Sequence, residues 1–91
     1  MVAPLTPADE ALLDADPQLV RRIEAGQYRL AFVRPAPGEP AERSFVTAGG
    51  HPVGWHRRQR LAQLFERGLV YAGEDLQVSL NRRSLSRPRT R

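Results

Sequence analysis

The chain has 91 residues, enough for one small domain and too few for a cofactor-binding domain joined to a substrate domain. It has no cysteine, which excludes disulfides and thiolate metal sites, and no apolar run approaches the roughly 18 residues of a membrane span. All fourteen basic residues are arginine and the net charge is +4. They are unevenly spread: residues 1–45 hold five arginines and seven acids, residues 46–91 nine arginines and three acids. A positive C-terminal half points to a polyanionic partner, nucleic acid ahead of an acidic protein or a membrane surface. The opening MVAPLTPADE has neither the basic nor the apolar region of a secretory signal, so a cytoplasmic protein is expected.

Thr6-Pro7-Ala8-Asp9 predicts a helix start, with Thr6 as N-cap, Pro7 at the first helical position and acids in the first turn. Leu12 and Leu13 point inward. Asp16-Pro17 repeats the cap-then-proline signal and predicts a second helix to Gly26, burying Leu19, Val20 and Ile23. Gln27–Arg34 alternates, with Tyr28, Leu30 and Phe32 on one side, and predicts a strand. Residues 35–40, PAPGEP, are turn chemistry. Residues 41–47 (AERSFVT) fit either a strand antiparallel to 27–34, the preferred reading, or a short helix opened by Glu39-Pro40.

Residues 47–54 form a glycine-rich approach to an amphipathic helix over 55–67, whose start lies between Pro52 and Trp55. Leu61, Leu64 and Phe65 share its apolar face, while His56, Arg60, Gln63 and Arg67 recur on the opposite side. Trp55 reads more readily as a core plug than as a stacking platform. Gly68 supplies the left-handed residue that ends a helix and returns Leu69 onto Leu64. Arg57, Arg58 and Arg60 crowd the first half of the helix, where the dipole disfavours cations, and such a broken rule marks an anion-binding position. Residues 69–72 and 76–80 predict a hairpin turned at Gly73-Glu74-Asp75, with Leu76, Val78 and Leu80 inward. Residues 81–91, with Arg82, Arg83, Arg87, Arg89 and Arg91, hold too little apolar surface to offset ordering, so a disordered basic tail is expected after a 1–80 domain.

Leu61, Leu64, Gly68, Leu69 and Val70, followed by Val78, Ser79 and Leu80, resemble the second half of a winged helix-turn-helix domain. The resemblance covers residues 57–81. It implies a helix in the DNA major groove and a wing on the backbone, with His56, Arg60, Gln63 and Arg67 at base edges. The acidic turn Glu74-Asp75 departs from that pattern, and no clear helix signal lies between Arg34 and Gly54.

Gly49 and Gly54 have the spacing of phosphate-loop glycines, but Trp55 and His56 stand where that motif needs Lys and Ser or Thr. His51 and His56 lack metal-ligand spacing. Ser44, Ser79, Ser84 and Ser86 have no nucleophile-elbow context. No catalytic residue, metal or cofactor is therefore expected. The expected architecture is α+β: two N-terminal helices, a strand or hairpin, one long helix and a C-terminal hairpin. The expected function is non-catalytic nucleic-acid binding, as a small DNA-binding regulator of transcription or an accessory factor, for which a two-fold homodimer is a natural form. His56, Arg57, Arg58, Arg60, Gln63 and Arg67 with the tail arginines are the candidate contacts. The alternatives are a protein-binding module or inhibitor of the mobile-element type, whose arginine stripe meets an acidic partner, and a small ribonuclease using His51 and His56.

Overall fold

The N-terminal helices begin where short polar side chains replace missing backbone partners. In the computed structural model, which describes residues 4–34 and 36–86, α1 (Pro7–Ala15) opens with a reciprocal capping box. The Thr6 hydroxyl accepts the Asp9 N–H at 3.1 Å, and the Asp9 carboxylate accepts the Thr6 N–H at 3.2 Å. Asp16 then ends α1 and caps α2 (Pro17–Glu24), its carboxylate accepting the Leu19 N–H at 3.1 Å.

β1 (Tyr28–Val33) and β2 (Glu42–Thr47) form an antiparallel hairpin with Tyr28 opposite Thr47, Leu30 opposite Phe45 and Phe32 opposite Arg43. The strand reading of residues 41–47 is thus the one the chain adopts, and a hairpin stands where the winged-helix family carries the helix before its recognition helix. α3 (Trp55–Glu66) follows, then the hairpin of β3 (Val70–Ala72) and β4 (Val78–Leu80), and α4 (Arg82–Leu85).

α2 and α3 end in the same way. Gly26 (φ +73°) and Gly68 (φ +69°) take the left-handed conformation, and the next residue turns back to bond the helix. The Gln27 N–H donates to the Arg22 carbonyl at 3.1 Å and the Leu69 N–H to the Leu64 carbonyl at 2.9 Å. Each helix is thereby handed to a strand, which sets α2 against β4 and α3 against β2 and β3.

The two hairpins meet through β1. The Leu30 N–H donates to the Leu76 carbonyl at 2.8 Å, and Arg29 bridges Gln77. Leu13, Leu19, Ile23, Tyr28, Leu61, Leu64, Leu69 and Val78 fill the space between these elements, all at most 3 % exposed.

Several expectations are corrected. Trp55 is 59 % exposed and plugs no core, because α3 starts at Trp55 itself and its first turn lies beyond the buried residues. Phe32 is 62 % exposed, since the hairpin outruns the core it shares with Leu30. Leu76 is not the first residue of a strand: it takes φ +63° to swing the chain from the Gly73–Asp75 turn into β4. Residues 81–86 pack against the end of α3, and Arg82–Leu85 form α4. The Asn81 amide donates to the Gly68 carbonyl at 2.8 Å, and the buried Ser84 hydroxyl donates to the Leu69 carbonyl at 2.9 Å. Polar bonds rather than apolar area hold this segment, with Leu85 at 56 % exposure. Arg87, Arg89 and Arg91 lie outside the described residues. No helix among the described residues is long and apolar enough to cross a membrane.

Candidate nucleic-acid interface

Leu61 and Leu64, at 0 % and 2 % exposure, fix the phase of α3, so His56 and Gln63 face solvent and Arg60 is half-buried. Phe65, expected in the core, lies at its margin. Its ring meets Phe45 edge-on at 6.2 Å between centroids, and the Arg43 guanidinium stands 5.7 Å over it.

Gly54 is the N-cap of α3 and offers no side-chain acceptor, leaving the first-turn N–H groups without the partner that Thr6 and Asp16 supply to α1 and α2. Arg57 and Arg58 follow at once. The Arg58 guanidinium lies 5.3 Å from the centre of the exposed Trp55 ring, so a half-buried cation and an exposed aromatic form one unit. That unit borders a groove of about 410 Å³ between α3 and the first hairpin, also lined by Val33, Glu42, Arg43 and Ser44. Glu42 brings one negative charge into it.

Arg43 is a residue that sequence reasoning missed. The available signal was register: once Leu30 and Phe45 face the core, their neighbours Phe32 and Arg43 share that face one step outward.

The other expected contacts divide. Arg67 does not project freely, because its Nη1 donates to the Asp9 carboxylate at 3.1 Å. Burial alone would raise the Asp9 carboxyl; the Thr6 N–H, the Arg67 guanidinium and the Thr6 hydroxyl outweigh it and hold the group below its ordinary value. Arg83 donates to the Arg67 carbonyl, tying α4 to the end of α3. Arg82 is exposed. Arg57, Arg58 and Arg60 thus form the cationic cluster of α3 that is without an ion pair among the described residues.

The chain matches no family model, no curated protein and no solved structure. His51 and His56 are both exposed, and no group of three or more His, Asp or Glu side chains among the described residues is placed to hold a metal ion.

Proposed function

We propose that the protein binds nucleic acid without catalysis, as a small DNA-binding regulator or accessory factor, using the N-terminal half of α3 and the adjoining groove. The supporting observation is the exposed Trp55 ring flanked by Arg58, with Arg43 across the same groove. An aromatic face beside cations accepts a stacked base while the arginines neutralise phosphate. Docking of α3 in a major groove, as the winged-helix resemblance implies, would bring His56, Arg60 and Gln63 to base edges and leave Arg67 on Asp9. Trp55 adds a contact suited to unpaired bases.

A second reading draws on the exposed apolar residues Phe32, Val33 and Trp55, which suit an acidic protein partner whose apolar side chains enter the groove. Fluorescence anisotropy with duplex and single-stranded oligonucleotides over a range of salt separates the two. Nucleic-acid binding requires log K to fall with log salt, and Arg58→Ala and Arg60→Ala each to reduce the slope by roughly 0.9 on duplex or 0.7 on single strands. Trp55→Ala should cost about 1–3 kcal/mol on single strands. No binding to either form at low salt overturns the proposal and favours the protein partner.

A further inference from the structure

A second cavity, of about 310 Å³, opens at the N-terminus of α3 on the side of α2. We propose that it is a binding site for a phosphoryl group. Arg22 from α2 and Arg57 from α3 both line it, together with Tyr28, Thr47 and Gly54. The inference stands on this cavity's own geometry and does not depend on the groove beside Trp55.

Three independent features converge there. The first is the uncapped start of a 12-residue helix, where unpaired N–H groups and the positive end of the dipole meet a solvent-open approach: a Cβ built on Gly54 would touch nothing within 4 Å. The second is charge. Two arginines from different helices line the cavity, neither hydrogen-bonded nor ion-paired by its side chain to a described residue, and no acid is among the lining residues. Arg57 sits at the positive end of α3, where an anion would offset its unfavourable placement; Arg22 reaches the cavity from the last turn of α2.

The third is Tyr28. It is 3 % exposed and lines the cavity, and its hydroxyl is buried without a hydrogen-bond partner. Buried hydroxyls are normally satisfied, as Ser84 is in this chain. A phosphoryl oxygen would accept from the phenol, from the guanidinium groups and from the α3 N–H groups together. A water molecule would satisfy the phenol alone, whereas a phosphoryl group would engage the phenol and the arginines together.

The wall is preorganised. The Thr47 N–H donates to the His51 carbonyl at 2.8 Å, the Thr47 hydroxyl accepts the His51 N–H at 3.1 Å, and the Ala48 N–H donates to the Gln27 carbonyl at 2.9 Å. The volume is at the lower end of small-molecule pockets, with room for a phosphoryl group and part of what carries it.

The test is an amide-resolved NMR titration of the full chain with inorganic phosphate, against chloride at matched ionic strength. Saturable shifts at Gly54, Trp55, His56 and Arg57 are expected, weakened at least about tenfold in Tyr28→Phe and in Arg57→Ala. Tyr28→Phe removes only an unpaired hydroxyl, so its melting temperature should be unchanged or raised. Absence of saturation, or identical titrations in both variants, reduces the site to an adventitious ion only and overturns the proposal.

Two further arms identify the source. A short duplex that shifts the same amides and binds less well to Tyr28→Phe assigns the phosphoryl group to a nucleic-acid backbone. A nucleoside monophosphate that does so, while duplex affinity is indifferent to Tyr28→Phe, assigns it to a free phosphorylated compound. An intact phosphate titration with no binding to duplex or single strand supports this site while overturning the nucleic-acid reading.

Discussion

The Asp9 carboxylate accepts a hydrogen bond from the Arg67 guanidinium at 3.1 Å, joining the first turn of α1 to the end of α3 across 58 residues of sequence. The same carboxylate caps α1 through the Thr6 N–H. Its folded pKa is lowered, so between the folded value and the ordinary 3.8 the unfolded chain binds the proton and the folded one does not. The stability it contributes is therefore present above 3.8 and lost as pH falls through the lower folded value. Thermal melts of wild type and Asp9→Asn should differ at neutral pH and converge in acid. A constant difference across that range would show that the carboxylate contributes through shape and not through charge.

Leu64 sits at 2 % exposure beneath the turn that returns Leu69 onto α3. Leu64→Ala should cost roughly 2–5 kcal/mol, a large share of what so small a domain possesses. Urea denaturation reads this directly, and a loss under about 1 kcal/mol would contradict the packing described for α3.

Gly26→Ala and Gly68→Ala both place a side chain at positive φ and should each destabilise by about 1 kcal/mol or more. Gly26 should lose more. A Cβ there would lie 2.9 Å from the Gln77 amide nitrogen and 3.2 Å from its Cδ, whereas at Gly68 it meets only the tip of Arg83 at 3.4 Å. Adding Gln77→Ala to Gly26→Ala should recover part of the difference, and calorimetry on the four members of that cycle would detect the coupling.

Ser84→Ala removes the hydroxyl that donates to the Leu69 carbonyl and should cost about 0.5–1.5 kcal/mol. Truncation after Leu80 also removes the Asn81 bonds to Gly68 and Leu69, and should lower the melting temperature by more than the ~4–8 °C that 1 kcal/mol represents in a domain of this size. An unchanged melting temperature would show that α4 merely rests on the fold.

Where local chemistry decides an element, the sequence was readable. Thr6-Pro7, Asp16-Pro17, Gly26 and Gly68 each act within a few residues, and the structure places helix starts and stops at them. The alternation of Tyr28, Leu30 and Phe32 gave the inward face of β1 but not the point at which the core ends, which depends on how far α3 reaches along the hairpin. Trp55 was misplaced for the same reason. Ser84 and Asn81 carry no apolar signal, since their order comes from carbonyls left at the end of α3. At the site, the arginines of α3 were visible by spacing. The pairing of Arg67 with Asp9, the approach of Arg43 and the placing of Arg22 and Tyr28 on one cavity arise only from long-range packing.

The first hairpin has a consequence for handling the protein. Its outer edges are met near the base, by Gln77 beside Arg29, Leu76 beside Leu30, Pro52 beside Val46 and His51 beside Thr47; farther out no backbone partner is present among the described residues. Phe32 and Val33 occupy this open stretch at 62 % and 40 % exposure. An unpaired edge with apolar side chains is a template on which another copy of the chain can add a strand. Arg34, Glu42 and Arg43 with Pro37 and Pro40 stand beside it as charged and proline gatekeepers. Replacing Glu42 and Arg43 together by Val would therefore convert the arm into a nucleus for self-association, visible as turbidity that rises with protein concentration well below the melting temperature.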